Sequence, residues 1–284
     1  MIPLNAIQEW KEVAPWADPA HVEQDLVITR ALILLYSEPT LAATFAFRGG
    51  TAMQKLFLSH PTRYSEDIDL VQLRSGPIGP ALDSIRKCLD PWLGIPKRAR
   101  KEGRFSLIYR FDSETSPVRS MRLKVEVNND ETFTVFDLQT KSIAAKSRWF
   151  TGSAEVQTYT IEELLGTKLR ALYQRKKGRD LYDLNMALDH FPELDPAKVI
   201  QCFQRYIAHQ KTSVSRAQFE ANLTAKIPDA GFVGDVPPLL PPGAPPFDST
   251  AAGERIKTTF LARLPGEPWK GPGEAEGGRR KKRS

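Results

Sequence analysis

Apolar positions recur at mixed three- and four-residue spacing through Val22, Leu26, Ala31, Leu32 and Leu35 after Pro19, which predicts a helix over residues 19–37. A strand over 43–48, a helix over 51–59 and a strand over 67–73 are expected next. A second stripe, Leu82, Ile85, Leu89 and Leu93, predicts a helix over 79–93, with Pro96 beyond its end. Alternation then replaces helical spacing, so 104–111 and 119–128 are predicted to be strands. In the latter, Lys124, Glu126 and Asn128 share one face and Val125 and Val127 the other. Shorter strands are expected near 133–137, 145–150 and 154–159. From Thr160, a good N-cap followed by Glu162 and Glu163, the pattern is helical through about residue 226, with breaks near Gly178, Pro192 and Asp195-Pro196. Six prolines within 237–246 predict an extended, stiff connector rather than core. Ile256, Phe260 and Leu264 mark one more amphipathic helix. The expected organisation is an α/β (α+β) sheet domain over 1–159 with a mixed sheet, a helical half over 160–227 packed on it, a Pro-rich connector plus one helix over 228–265, and a disordered basic tail over 266–284.

One stretch of this pattern carries chemistry. Asp67 and Asp69 stand at i and i+2 in a predicted strand, so both carboxylates project from one face about 6.6 Å apart along it, while Ile68, Leu70 and Val71 supply core. Two carboxylates so placed can share a divalent metal. Gly49 and Gly50 follow the strand that ends in Phe45 and Phe47 and open a helix, where backbone N–H groups can approach an anion, with Thr51 at the N-cap or first helical position. The unit reads as a phosphate cradle facing a metal site. Glu126, on a neighbouring strand, is the natural third carboxylate, as a ligand or as a base for an incoming hydroxyl; its bland alternative is a solvated residue paired to Lys124. Lys168 sits among Ala171, Leu172 and Arg175 on a helix with one side facing the sheet, where an amine can reach a triphosphate as a point charge. Arg63 and Ser65, just before the acidic strand, are further candidates for phosphate contact.

Five blocks in order, Gly49–Met53 with Lys55 nearby, Arg63–Leu70, Lys124-Val125-Glu126, Lys168, and Arg179-Asp180-Leu181-Tyr182-Asp183-Leu184, resemble the AbiEii/AbiGii-type toxins of the nucleotidyltransferase superfamily over roughly residues 20–210. The resemblance implies a nucleotidyltransferase-like mixed sheet core with a C-terminal helical half. It also implies transfer of a nucleotide from an NTP to an acceptor such as a tRNA 3′ end, counteracted by a separately encoded antitoxin protein. It assigns catalysis to Asp67, Asp69, Glu126, Lys168 and Asp183, nucleotide binding to Gly49, Gly50, Thr51, Lys55, Arg63, Ser65, Arg179 and Asp180, and metal binding to Asp67, Asp69 and Glu126. The expected ion is Mg2+, with Mn2+ as a substitute, because attack on an α-phosphate calls for a hard cation with oxygen ligands. Many superfamily members have an aspartate at the position of Glu126. Asp180 and Asp183, three residues apart, have a structural alternative as ion-pair partners of Lys168 and Arg175.

Composition narrows the surroundings. The longest apolar run, Ala31–Tyr36, is far short of the ~20 residues of a membrane span, and no secretory pattern opens the sequence. Two cysteines, Cys88 and Cys202, make neither a disulfide framework nor a zinc pattern, so a cytoplasmic location is expected. The net charge is +6, and Arg279–Arg283 supplies five of it. That run, or the helical half around Arg175, Lys176, Lys177 and Arg179, is a candidate RNA contact. Two other readings stand beside the transferase: a different metal-dependent transferase using Asp-x-Asp to hold a nucleotide sugar, and a nucleic-acid-binding or regulatory module on an inactive transferase fold. The Gly-Gly helix start ahead of Asp67 argues against the first, and the presence of every acidic and basic block against the second.

Overall fold

The structure is a computed structural model and describes residues 2–101 and 103–271. The helices are α1 (Leu4–Trp10), α2 (Pro19–Ser37), α3 (Pro39–Thr44), α4 (Gly49–Leu56), α5 (Gly79–Leu93), α6 (Ile161–Gln174), α7 (Gly178–His190), α8 (Pro196–His209), α9 (Arg216–Lys226), α10 (Ala230–Val233) and α11 (Ser249–Thr259). The strands are β1 (Phe45–Arg48), β2 (Asp67–Gln72), β3 (Lys97–Lys101), β4 (Arg104–Asp112), β5 (Ser120–Asn128), β6 (Gln139–Lys146) and β7 (Thr151–Thr158). The chain divides into two compact units. One runs up to Leu165 and includes Pro237–Pro246; the other comprises Gly166–Val236 and the chain from Phe247 onward.

The first unit is built on one seven-stranded mixed sheet in the order β3-β4-β5-β2-β1-β7-β6. Its strands run antiparallel except for β2 with β5 and β1 with β7. Alternation gives the sheet two unlike faces. Phe45 and Phe47 of β1, Ile68 and Leu70 of β2, Leu107 and Tyr109 of β4, and Leu123, Val125 and Val127 of β5 are buried in one core with Leu26, Ile28 and Leu32 of α2 and Ile85 and Leu89 of α5. The other face carries Asp67, Asp69, Lys124 and Glu126. Burial of such a core fixes the register, because a one-residue slip would exchange the two faces.

Helix α2 is buried on nearly every side, including its polar residues. Those residues find partners: Asp25 accepts from Trp10 Nε1 (2.9 Å) and Lys55 Nζ (2.9 Å), and Gln24 donates to the Arg122 carbonyl (2.9 Å). Pro19 at its first turn and the Asp18 side chain accepting from Ala20 N–H start it where the sequence indicates.

The second unit is helical. Leu169, Leu172, Leu181, Leu184, Phe203, Tyr206, Phe219 and Phe260 are fully buried in it. α8 begins at the Asp195 cap and α9 at a capping box between Ser215 and Gln218. Lys226 Nζ donates to the Leu172 (2.5 Å) and Tyr173 (2.8 Å) carbonyls, satisfying the last turn of α6 with a cation.

Several sequence expectations change. No strand forms over 133–137, because the N–H groups of Val135 and Phe136 donate to the Glu163 carboxylate, at 2.9 and 3.0 Å, instead of to a ladder. The strand expected over 145–150 is the end of β6 and the turn after it. The Pro-rich segment is not only a connector: Tyr64 N–H donates to the Leu239 carbonyl (2.8 Å) and Leu239 packs on the core of the first unit. Of the tail, residues 266–271 carry no helix or strand, but Trp269 N–H donates to Glu220 (2.8 Å). The run Arg279–Arg283 lies outside the described residues. β3 and α3 were not expected at all.

Candidate active site

β1 ends at Arg48, the chain turns through Gly49 at φ +90°, and α4 begins. That dihedral belongs to the left-handed region, where a side chain costs roughly 1 kcal/mol or more. A second reason for glycine is steric. A Cβ at Gly49 would collide with Asp69 Oδ2, and one at Gly50 would fall 2.6 Å from Arg63 Nη2. The space above the two glycines is thus filled by a carboxylate and a guanidinium of this chain. Asp69 holds the position at the start of α4 that the sequence reading reserved for a phosphate, and the helix N-terminus favours its negative charge.

β2 pairs antiparallel with β1 and parallel with β5, which sets Asp69 between Arg48 and Glu126, and Asp67 opposite Lys124. All five side chains project from the polar face. Asp67 is the anomalous group. Its Oδ1 is buried with no hydrogen-bond partner among the described residues. Burial first, and then the neighbouring Asp69 charge, raise its pKa to about 6, against the smaller opposing effect of Lys124. A buried oxygen without a donor, beside a second carboxylate, is the arrangement a bound cation relieves. Asp67 and Asp69 therefore fit a hard divalent ion as a pair of oxygen ligands.

Glu126, opposite Asp69 in the ladder, is held in ion pairs. Lys124 Nζ lies 2.5 Å from Glu126 Oε2 and Arg104 Nη1 3.2 Å from Oε1. Burial pushes this carboxyl up, but Lys124 and Arg104 more than offset it, and the net shift is downward. Among the described residues no three acidic, histidine or cysteine side chains are grouped to hold one metal ion. The three expected carboxylates thus stand as an aspartate pair on β2 and an ion-paired glutamate on the neighbouring β5.

The other expected contacts are drawn inward. Thr51 is the third helical residue rather than a cap; its hydroxyl donates to the Asp67 carbonyl (2.6 Å) and lies 2.7 Å from Ser65 Oγ. Arg63 is 3% exposed, covers Gly50 and donates from Nη1 to the Tyr64 carbonyl (2.7 Å). Lys55 donates to Asp25 and to Thr29 Oγ1 (2.8 Å), inside the core. These four residues line a cavity of about 120 Å3 together with Trp16 and Asp25, room for a few waters and not for a nucleoside. Thr51, Ser65 and Arg63 fasten the Gly-Gly turn and α4 to the chain entering β2, and Lys55 ties α4 to α2. Gly49→Ala is expected to cost about 1–3 kcal/mol of stability and to displace Asp69, seen as a lower melting temperature together with lost transfer.

Lys168, Arg179, Asp180 and Asp183 belong to the second unit. Asp180 and Asp183 are fully buried, and Lys168 Nζ lies 3.3 Å from Asp180 Oδ1 and 3.0 Å from Asp183 Oδ2. Arg175 grips Asp180 through both Nε (2.7 Å) and Nη2 (2.8 Å). Burial raises the Asp180 carboxyl, but Lys168 and Arg175 more than compensate and hold it below the usual value. The ion-pair alternative weighed for these aspartates is the arrangement present. Arg179 N–H donates to Asp235 (3.2 Å). Lys176 pairs with Asp229 and Lys177 and Arg179 with Asp235, so the basic cluster expected to meet RNA is matched by carboxylates.

Arg48, opposite Asp69, carries no signal of its own in the sequence, and Lys124, opposite Asp67, is marked there only as a partner of Glu126. The signal for Lys124 was its place two residues before Glu126 on one face.

A mixed sheet with an aspartate pair beside a glycine turn at a helix start is a nucleotidyltransferase arrangement. Residues 32–253 match the nucleotidyl transferase AbiEii toxin family of type IV toxin–antitoxin systems, and the chain belongs to that family. No curated protein matches. Among solved structures the chain is similar to MenT4, a nucleotidyltransferase toxin from Mycobacterium tuberculosis H37Rv, with a TM-score of 0.58, 17% identity, 93% of this chain and 91% of that chain covered. It also matches an antigenic nucleotidyltransferase-like protein from Paracoccidioides brasiliensis with a TM-score of 0.39, 17% identity and coverage of 74% and 96%. The protein is thus a nucleotidyltransferase of a toxin family, and membership implies a nucleotide substrate and an antitoxin partner. No helix among the described residues is long and apolar enough to cross a membrane.

Proposed function

We propose that this protein is a cytoplasmic toxin that transfers a nucleotide from an NTP to an RNA acceptor, with a tRNA 3′ end as the foremost candidate. The observation that carries the proposal is the pair Asp67 and Asp69 on one strand face, one with an unpartnered buried oxygen and the other seated at the Gly-Gly turn. These two carboxylates would hold Mg2+ or Mn2+, which supplies neutralisation of the triphosphate and polarisation of the α-phosphate.

The remaining work falls to the chain. The acceptor hydroxyl oxygen forms a bond to the α-phosphorus, the bond to the β-phosphate oxygen breaks, pyrophosphate leaves, and the hydroxyl proton passes to solvent. Asp67 and Asp69 fix the site of attack because β2 is clamped between β1 and β5. Lys124 and Arg104 lie at hand for negative charge on the triphosphate, and Glu126 positions both. Glu126→Gln is accordingly expected to lower transfer about 10-fold, short of the 10²–10⁴-fold loss that removal of a general base gives. Single-turnover rates distinguish the two.

The test incubates the protein with each α-labelled NTP, total RNA and Mg2+, with and without EDTA. Label in RNA that requires Mg2+ supports the proposal. Label in protein alone, or RNA labelling untouched by EDTA, overturns it.

A further inference from the structure

The pairing register places more than the acid pair on the polar face of the sheet. One row across the strands reads Lys97 of β3, Ile108 of β4, Lys124 of β5 and Asp67 of β2. The next reads Ala99, Ser106, Glu126, Asp69, and the one after it Lys101, Arg104, Asn128, Val71. Arg110 and Arg122 form a further pair on the same face. Residues directly opposite one another in a ladder project together, so Lys97, Lys101, Arg104, Arg110, Arg122 and Lys124 share the face of Asp67 and Asp69.

Charge is sorted along these rows. The carboxylates Asp67, Asp69 and Glu126 lie on β2 and β5, and the cations dominate outward to the edge strand, roughly 14 Å away over three strand spacings. Arg104 and Lys124 are paired to Glu126, and Arg122 lies 3.5 Å from Glu66. Asp112, at the end of β4, is the further carboxylate on this face. Lys97, Lys101 and Arg110 are exposed and form no ion pair among the described residues. No exposed large apolar side chain stands on β3, β4 or β5.

We propose that the open sheet face formed by β3, β4 and β5 is the docking surface for the sugar-phosphate backbone of a polynucleotide, guiding its end to Asp67 and Asp69. This inference rests on the transferase reading of that pair. A protein partner would call for an apolar centre, which these rows lack. A backbone polyanion needs cations spread along a track, and contacts of this kind position a strand without reading its sequence. The surface also replaces the Arg175–Arg179 cluster, whose cations are already matched within their own unit.

The edge strand supplies its own control. Arg98 and Arg100 pair with Leu107 and Phe105 and so project from the opposite face, yet they too are exposed, Arg100 lying over the Phe105 ring. Lys97→Ala/Lys101→Ala and Arg98→Ala/Arg100→Ala remove the same charge from the same strand. Binding of a fluorescein-labelled RNA hairpin with a single-stranded 3′ end is measured by anisotropy across a salt series, and NTP binding in parallel. The Lys97/Lys101 variant is expected to lose about 10-fold in RNA affinity at low salt, with a salt slope flatter by roughly 0.7 per contact removed. Its NTP affinity should be unchanged, and the Arg98/Arg100 variant should match the wild type in both. Equal losses in the two variants, no loss in either, or no RNA binding by the wild type overturns the docking surface. Asp69→Asn separates this inference from the transferase reading. RNA that binds this face normally but is never nucleotidylated by the wild type sinks the reaction and leaves the surface. RNA nucleotidylated equally well by the Lys97/Lys101 variant sinks the surface and leaves the reaction.

Discussion

Asp69→Asn and Asp67→Asn are each expected to lower nucleotide transfer by about 10³-fold or more, because each removes an oxygen ligand and a negative charge from the point where the triphosphate must be neutralised. Neither should unfold the protein, since the core lies on the other face of β2, in Ile68 and Leu70. Asp67 gives a sharper expectation. Its carboxyl titrates at about 6 in the folded chain against 3.8 as an ordinary side chain. For an acid with a raised folded pKa, the folded state binds more protons over that interval. The favourable contribution is complete below about pH 4 and is lost as pH rises through 6. Two pH units correspond to roughly 3 kcal/mol. In the absence of divalent cations, Asp67→Asn should therefore melt above the wild type at pH 7.5, and the gap should close near pH 4. A variant that melts lower at both pH values contradicts the burial account of Asp67, and near wild-type turnover in either asparagine variant contradicts the site.

Lys168→Met is expected to destabilise the protein by about 3–5 kcal/mol, the cost of taking one partner out of a buried ion-pair network. Asp183 loses the amine 3.0 Å away and Asp180 the one at 3.3 Å, although Asp180 retains Arg175. The double variant Lys168→Met/Asp183→Asn should recover much of that stability, because a buried negative charge that faced the amine is removed with it. Melting temperature and NTP affinity measured on both proteins decide the role of Lys168. Restored stability with wild-type NTP affinity marks an internal strut. Restored stability with NTP affinity still down 10-fold or more returns Lys168 to the triphosphate, as its place in the family block implied.

Sequence was most informative where side-chain alternation and burial coincide. Asp67, Asp69, Lys124 and Glu126 fall on the face their spacing assigns, since Ile68, Val125 and Val127 leave no other register. It misled where an interaction is three-dimensional. Gly49 and Gly50 read as an opening for an outside anion, and the ligands they admit are Asp69 and Arg63 of the same chain. The family block assigns Lys55 to nucleotide binding, yet its partners are Asp25 and Thr29 on α2, thirty and twenty-six residues earlier. Phe133 and Val135 alternate like a strand, but Glu163 captures the backbone donors there. β3 was invisible for a different reason. Lys97, Arg98, Ala99, Arg100 and Lys101 offer no apolar alternation, and only the ladder with Arg104–Ile108 reveals a strand. The Pro-rich segment shows how Leu239 can tie a stretch that reads as a stiff connector to a core.

The most direct measurement of the central claim is the intact mass of a defined RNA after incubation with the protein, Mg2+ and each NTP. The account expects the mass to rise by whole nucleoside monophosphate units with one NTP, one pyrophosphate released per unit, and no change with Asp67→Asn or Asp69→Asn. An RNA of unchanged mass with every NTP, a gain of phosphate alone, or equal products from the asparagine variants would contradict it.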